Sequence, residues 1–260
     1  MSEAFKTGPR TLSVVAEYRR VLKSGFVNGV LEPELFSPMF RDGGAAAVAI
    51  SIDKNTGGCT LDDIRKVAKE QSYAKGSFPG PLPIIARDVT VSEFQACEAK
   101  AAGAESITLS ISLVGKERCQ ELLNFAWHIG MEPIVQVTSE EEAANAVAMG
   151  ATVVAVVGKT PGKALEVREK IPAEVFAAVH VDRRSDEGLE EIEDCWILRD
   201  AGFNVIWASE ILYKGGQGQS ESVVAIIKAI RTKASVLYGR ARGLSGKGEG
   251  AKEYLGTLAA

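Results

Sequence analysis

Cysteines and histidines arranged as a metal or disulfide site are missing from this chain. The four cysteines, Cys59, Cys97, Cys119 and Cys195, lie far apart and form no C-x-x-C pair, so they indicate neither a zinc site nor a disulfide framework. The two histidines, His128 and His180, are also far apart, with no cluster of ligands near either. We therefore expect no metal, no cofactor, and reduced cysteines that are mostly buried.

Long apolar runs are missing too. No run approaches the roughly 18 residues that a membrane span needs, and residues 1–10 lack the apolar centre of a signal peptide. We expect a soluble protein without membrane insertion, in a reducing compartment. That compartment is the cytoplasm, or the plastid stroma or another organelle if a transit peptide has been removed.

The chain also lacks an excess of positive charge. It has 30 lysines and arginines against 34 aspartates and glutamates, a formal net charge of -4, which gives no electrostatic reason to expect nucleic acid as a partner. A G-x-G-x-x-G turn after the first strand, a Walker sequence, H-E-x-x-H and G-x-S-x-G are absent as well. The sequence therefore shows none of these signatures of dinucleotide binding, nucleotide binding, zinc proteolysis or serine hydrolysis.

What the chain does have is a regular alternation of short apolar runs and helical stretches. Eight runs are predicted strands: Leu12–Glu17, Ala46–Ile52, Leu82–Asp88, Ser106–Ser110, Pro133–Val137, Thr152–Val157, Val175–Val181 and Asn204–Ala208. A glycine precedes each even-numbered strand, at the end of a helix where it can adopt a left-handed cap: Gly44, Gly103, Gly150 and Gly202. Eight such units predict a single-domain α/β fold, a (β/α)8 TIM barrel, instead of an open doubly wound sheet.

The predicted barrel spans residues 12–235. It follows an N-terminal segment, 1–11, and precedes a glycine-rich, mildly basic C-terminal tail, 236–260. The region from Arg19 to Gly29 is predicted to be a loop. Thr60 and Ser139 are suited to cap the helices that follow them.

The third predicted strand carries the first chemical signal. Arg87 and Asp88 close it, at the C-terminal end of a parallel strand, where α/β folds place their chemistry. The structural alternative is an ion pair between these two neighbours at the barrel rim, since such pairs are common.

Several motifs together resemble the indole-3-glycerol phosphate synthase family. Gly43-Gly44-Ala45-Ala46-Ala47-Val48 and Gly57-Gly58-Cys59-Thr60-Leu61-Asp62-Asp63-Ile64 are similar to the family's GAAALSV and FGGSLEDL. Ala16-Glu17-Tyr18-Arg19-Arg20 is similar to its AEIKK, and Ile85-Ala86-Arg87-Asp88 to its LRKD. The resemblance extends from Leu12 to Lys233. It implies the barrel fold and a carboxy-lyase of tryptophan biosynthesis, which closes an indole ring on an anthranilate-derived deoxyribulose phosphate and releases carbon dioxide and water.

The resemblance also implies catalytic positions. Glu17 matches the family's strand-one glutamate, Arg19 stands at its strand-one lysine, and Arg87 stands at the general-acid lysine of strand three. Arginine stays protonated to about pH 12, so Arg87 can stabilise negative charge but is a poor proton donor at neutral pH. Arg19 or Arg87 could equally neutralise Glu17 for a purely structural purpose.

Three further positions lack the family's side chain. Gln136 replaces the strand-five glutamate and cannot act as a base, and Val157 replaces the strand-six asparagine. His180 aligns near the strand-seven glutamate; it is either an inward residue at the rim or an ordinary strand residue. Losing general acid or base help typically costs ~10²–10⁴-fold per group.

The family's phosphate-binding segments are only partly retained. Ser24 remains from its SPSKG loop, and Ser209 replaces the glycine that opens its strand-eight turn. Gly215 and Gly216 stand where barrels commonly present backbone amides to a phosphate, although the same glycines suit a flexible loop. A sugar phosphate is the expected small-molecule ligand, contacted by Arg19, Ser24, Ser209, Gly215 and Gly216.

Two hypotheses follow. In the first, the barrel has lost most catalytic acid and base residues and is a pseudoenzyme, a binding or scaffolding subunit of a larger assembly. In the second, it is an active, divergent indole-3-glycerol phosphate synthase or a related sugar-phosphate enzyme. Residues 236–260 cannot build a core alone; this tail is either disordered or folds against a protein partner.

Overall fold

Eight parallel strands close into a barrel. The computed structural model describes residues 1–6, 11–22, 25–26, 32–182, 189–213, 220–232 and 251–252. The barrel strands are β1 Ser13–Tyr18, β2 Ala47–Ser51, β3 Ile84–Arg87, β4 Ser106–Ser110, β5 Ile134–Val137, β6 Val153–Val156, β7 Phe176–Val181 and β8 Val205–Ala208. Neighbours in the chain pair in parallel, and β1 also pairs with β8, which closes the ring. The predicted (β/α)8 barrel is confirmed.

Helices surround the barrel. They are α1 Pro33–Gly43, α2 Leu61–Tyr73, α3 Glu93–Ala102, α4 Lys116–His128, α5 Glu140–Ala148, α6 Pro161–Arg168, α7 Leu189–Asp200 and α8 Ser220–Arg231. A short helical turn, Ile111–Val114, precedes α4, and a 3-10 turn, Glu210–Leu212, follows β8.

The predicted helix caps are present. The Thr60 backbone N–H donates to Asp63 Oδ2 over 2.8 Å, and Ser139 Oγ accepts from the Glu142 N–H over 3.2 Å. All four glycines before the even-numbered strands have positive φ, from 82° at Gly44 to 109° at Gly103. The capping residues and the glycines therefore lie at the helix ends that the sequence predicts for them.

The segment after β1 differs from its prediction as a loop. Val21–Leu22 and Gly25–Phe26 form a two-stranded antiparallel hairpin. The backbone N–H groups of Arg20 and Val21 both donate to the Gly57 carbonyl, over 2.7 and 3.1 Å. These bonds tie the start of the segment to the loop after β2, which satisfies backbone groups that an irregular loop would leave to water.

Two apolar clusters fill the protein. One lies between the strands and the helices; the other fills the barrel interior and includes Val15, Ala49, Ile85, Ala178 and Trp207. Phe5, in the N-terminal 3-10 turn, joins the interior cluster and packs edge-on against Phe176. Since Phe176 begins β7, the N-terminal turn covers the end of the barrel opposite the C-terminal ends of the strands.

None of the four cysteines forms a disulfide. Cys59, Cys119 and Cys195 are buried, as expected for most of them, and Cys97 on α3 is exposed. Ala251, one of the two described tail residues, is fully buried in the outer cluster. Among the described residues, none of the helices has the length and apolar character of a membrane span, and no group of three or more potential metal ligands occurs.

Candidate functional site

The period of two along a strand sets which residues reach the mouth of the barrel, at the C-terminal ends of the strands. Val15, Ile85, Ile134, Ala178 and Trp207 belong to the interior cluster. Residues two positions further along face the same side. The mouth therefore receives Glu17, Arg87, Gln136, His180 and Ser209, and by the same spacing Ser51 from β2 and Val157 after β6.

Glu17 is the centre of this layer. Its side chain is fully buried, and a buried carboxylate requires ionic or hydrogen-bonding partners. Oε1 lies 3.2 Å from Arg87 Nη1 and 4.0 Å from Arg19 Nη1, while Oε2 accepts a 2.8 Å hydrogen bond from Trp207 Nε1. Both oxygens are thus occupied by groups from β3, β8 and the end of β1.

Arg19, just after β1, contacts residues at the end of β8 and in the loop after β2. Its Nη1 lies 3.1 Å from Ser209 Oγ and 3.5 Å from Glu210 Oε1, and its Nη2 donates to the Thr56 carbonyl. The guanidinium is therefore fixed between the β8 end and the loop after β2. Of the five residues predicted to contact a ligand, Arg19 and Ser209 lie together. The other three, Ser24, Gly215 and Gly216, lie outside the described residues.

The structural alternative drawn from the sequence, an ion pair between Arg87 and Asp88, is wrong. Arg87 pairs with Glu17 instead. Arg87 points into the barrel, to Glu17 and to Ser51 Oγ at 3.1 Å. Asp88 points away: its Oδ1 accepts from the Val89 N–H over 2.8 Å and its Oδ2 from Gln95 Nε2 over 3.3 Å. Adjacent residues of a strand face opposite sides, which separates the two charges.

His180 is an inward residue, stacked on Trp207. The ring centroids are 4.5 Å apart at an interplanar angle of 18°, and the two residues are directly paired between β7 and β8. Burial, assisted by the positive charges of Arg87 and Arg19, lowers the pKa of His180 well below its ordinary value, so the ring is neutral near pH 7. His128, by contrast, is exposed on α4.

Gln136 and Val157 are the remaining predicted positions. Both are half-buried, Gln136 on β5 and Val157 just after β6. No hydrogen bond or ion pair joins either of them to Glu17, Arg19 or Arg87 in the described part of the chain. The structure therefore brings together Glu17, Arg19, Arg87, Ser209 and His180, and leaves Gln136 and Val157 at the other side of the mouth.

Sequence reasoning missed two aromatic residues of the site. In the sequence, Trp207 belongs to an apolar run, and only its position on the inward face, two residues before Ser209, indicates that it lies directly beneath the mouth. Tyr213 donates to the Glu17 carbonyl over 2.9 Å and accepts from the Arg19 N–H over 3.1 Å. Burial raises the pKa of Tyr213 well above its ordinary value, so the phenol keeps the proton that it donates.

The loop after β2 supports the arginine side of the mouth. Burial alone would raise the pKa of Asp53, but hydrogen bonds from Thr56 Oγ1 at 2.7 Å and the Asn55 N–H at 2.9 Å, with the charge of Arg87, lower it. The resulting carboxylate closes the turn that presents the Thr56 carbonyl to Arg19. Gly57 follows, packed directly on Ser51.

Comparison with known proteins gives one consistent result. The family model described as "Indole-3-glycerol phosphate synthase" matches residues 1–213. The indole-3-glycerol phosphate synthase of Oceanobacillus iheyensis is 24% identical over 215 residues, which cover 81% of this chain and 78% of that protein. The enzyme of the same name from Mycolicibacterium smegmatis is 26% identical over 212 residues, 80% of this chain and 74% of that protein.

Solved structures support the fold alone. The structure described as "Native KDPGal structure" superimposes with a TM-score of 0.61 at 18% sequence identity, over 90% of this chain and 97% of that one. At this identity the likeness extends to the barrel architecture and carries no statement about chemistry.

Proposed function

The chain belongs to the indole-3-glycerol phosphate synthase family, and from that premise we propose that it is a binding or scaffolding member, a pseudoenzyme that does not close the indole ring. The observation that carries this proposal is the pairing of Glu17 with Arg87. The family resemblance places the catalytic acid at Arg87, yet this residue is an arginine engaged by Glu17 and Ser51. A guanidinium cannot release its proton near neutral pH.

The base side supports the same conclusion. Gln136 stands where the resemblance implies a glutamate, and an amide cannot hold a proton that it abstracts. Glu17 itself has both oxygens committed, to Arg87 and to Trp207. The acid position is therefore held by a guanidinium that pairs with Glu17, and the base position by an amide that cannot act as a base.

The second candidate is an active, divergent enzyme of the family, and one observation favours it. Nε of Arg19 and Nε of Arg87 are buried without a hydrogen-bond partner among the described residues. Unused donors in a barrel mouth suit an anionic substrate such as a sugar phosphate. Such a mouth is also consistent with binding without turnover.

Partners and compartment belong to the same proposal. The tail residue Ala251 is buried against the protein's own outer cluster, so a protein partner of the 236–260 tail would bind a segment that is partly docked. Cysteines without disulfides suit a reducing compartment, cytoplasmic or organellar.

The test is formation of indole-3-glycerol phosphate from the anthranilate-derived deoxyribulose phosphate by the purified full chain. We expect no turnover from the natural sequence. The paired change Arg87→Lys with Gln136→Glu restores a proton donor and a base at the two positions and should give measurable turnover. Exposed Arg65→Lys on α2 is the control for an arginine-to-lysine change outside the mouth.

A contrary result is equally clear. Turnover by the unmodified chain that Glu17→Gln abolishes would assign an active lyase and reject the pseudoenzyme. Retained folding of every variant, checked by circular dichroism, ensures that lost activity reflects chemistry and not unfolding.

A further inference from the structure

A cavity lies away from the barrel mouth, between the outer helices α1 and α2. It has a volume of about 390 Å³ and is lined by Glu34 of α1 and by Lys66, Lys69, Glu70 and Tyr73 of α2. A cavity of at least about 300 Å³ is large enough for a small organic ligand. None of its lining residues stands at a position that the family resemblance links to catalysis, so the cavity calls for an explanation of its own.

Two of the charged lining residues are balanced by opposite charges within the protein. Glu70 Oε1 lies 2.9 Å from Arg41 Nη2, and Glu70 Oε2 accepts from Arg41 Nη1 over 3.2 Å. Gln71 Nε2 also donates to Glu70 Oε2, over 2.8 Å. Lys66 Nζ lies 2.8 Å from Glu32 Oε2. A ligand in the cavity therefore has to be matched to the two charged residues that remain.

Glu34 is the first of these two. Its Oε2 is buried and has no hydrogen-bond partner among the described residues, and no cation of that part of the chain lies within ion-pair distance of its carboxylate. Taking a carboxylate oxygen out of water without a donor is costly. Oε1 is not among the buried atoms that lack a partner, so the carboxylate can be reached there. The group is poorly solvated, and a cationic donor in the cavity would stabilise it.

Lys69 supplies the opposite charge. Its side chain is exposed, and its ammonium group pairs with no acidic residue within the described ranges. Tyr73 lies four residues further along α2, on the same face of the helix, and is 73% exposed. The tyrosine ring is therefore open to an apolar group. Together with Glu34, the cavity offers one uncommitted anion, one uncommitted cation and an aromatic surface.

We propose that this cavity binds a free α-amino acid with an apolar side chain, as the zwitterion. The ammonium group of the ligand donates to Glu34, its carboxylate accepts from Lys69, and its side chain packs against Tyr73. A zwitterion satisfies both uncommitted charges, whereas a purely anionic or purely cationic ligand would leave one of them unmatched. The site does not involve the barrel mouth, so the inference goes beyond the proposed function and holds whether or not turnover occurs.

The experiment follows the tyrosines of the full chain by fluorine nuclear magnetic resonance after labelling with fluorotyrosine, with Tyr73→Phe to assign the signal of Tyr73. L-phenylalanine is the probe. N-acetyl-L-phenylalanine lacks its positive charge, and L-phenylalanine amide lacks its negative charge. We expect the Tyr73 signal to shift saturably with L-phenylalanine, with a Kd on the order of 1 mM, while the signals of buried Tyr18 and Tyr213 stay in place. Each derivative should bind at least about fivefold more weakly.

Two charge variants assign the contacts. Glu34→Gln and Lys69→Gln should each weaken binding of L-phenylalanine about fivefold. Glu34→Gln should also lose the preference for L-phenylalanine over the N-acetyl derivative, and Lys69→Gln the preference over the amide, because each variant lacks the partner of the missing charge. Glu117→Gln in the first turn of α4 and Lys163→Gln on α6 are the matched controls, since both residues are exposed and lie outside the cavity.

Three results would each overturn the inference: a Tyr73 signal that does not shift with L-phenylalanine, equal binding of the three probes, or charge variants that bind like the wild type. Circular dichroism checks that the variants are folded. If one of them is not, the discrimination of the wild type among the three probes decides. A positive turnover assay would reject the pseudoenzyme and leave this result unchanged.

Discussion

Removing the charge of Glu17 is expected to destabilise the barrel. The carboxylate is fully buried and holds Arg87, Arg19 and Trp207 in place. Breaking a buried ion pair by removing one partner typically costs about 3–5 kcal/mol. Arg87 remains 26% exposed, so water compensates part of the loss, and we expect about 3 kcal/mol for Glu17→Gln, at the lower end of that range.

The cost should depend on Arg87. Arg87→Met leaves Glu17 with Trp207 and the more distant Arg19, and is expected to cost about 2 kcal/mol, less than a full loss of partners. The double variant should cost less than the sum of the two, by about 1–2 kcal/mol, because each single change leaves the other group without its partner. Glu3→Gln breaks an exposed ion pair with Lys6 and is the matched control, with little expected effect.

Urea unfolding followed by circular dichroism measures these differences, and thermal unfolding provides a second readout. For a chain of this size, about 3 kcal/mol corresponds to a fall in Tm of roughly 6–12 °C. Strict additivity of the two substitutions would refute a direct Glu17–Arg87 interaction. A rise in Tm for Glu17→Gln would refute the stabilising role of Glu17. It would indicate a residue kept for function, because functional residues are often retained at a cost in stability.

Three further predictions concern other parts of the fold. Gly57→Ala should destabilise strongly, because its Cβ would lie 2.1 Å from the Ser51 carbonyl oxygen, whereas Gly80→Ala, whose nearest contact is 3.5 Å, should be tolerated; comparing their melting temperatures tests this. Burial alone would raise the pKa of Asp63, but hydrogen bonds from Arg20 and Thr60 lower it in the folded protein; its stabilisation is present above the unfolded pKa of about 3.9 and is lost as the pH falls through the lower folded value. The Tm advantage of wild type over Asp63→Asn should therefore shrink on acidification below about pH 4, and a constant difference would contradict it. Iodoacetamide should modify Cys97 first in the native protein, because burial raises the pKa of Cys59 to about 12 and of Cys119 to about 11; rapid labelling that persists in Cys97→Ser would show the buried thiols to be accessible.

The barrel was predictable from the sequence because its signals are local and repeated. Each strand is a short apolar run. Each even-numbered strand follows a glycine that has positive φ at a helix end, as Gly44 and Gly103 do. The strand bounds differ from the predicted ones by at most two residues, and those of Ser106–Ser110 are identical.

The site was only partly predictable because its contacts are long-range. Glu17, Arg19 and Arg87 could be placed at strand ends, but the choice of Glu17 over Asp88 as the partner of Arg87 depends on which face of β3 turns inward. Trp207 could not be identified as a partner of Glu17, since an aromatic residue in an apolar strand is ordinarily core. His180 was open between two orientations until the pairing of β7 with β8 set it against Trp207.

The contacts of Glu17 and Arg19 also bear on the order in which the chain assembles during synthesis. Trp207, Ser209 and Tyr213, which meet β1 and the residue after it, lie 190 to 196 positions later in the chain. In a nascent chain that has not yet released β8 from the ribosome, the Glu17 carboxylate therefore still lacks its hydrogen bond from Trp207. The mouth is completed last, at the seam where the first strand meets the eighth, and any molecule that binds there recognises only a finished ring.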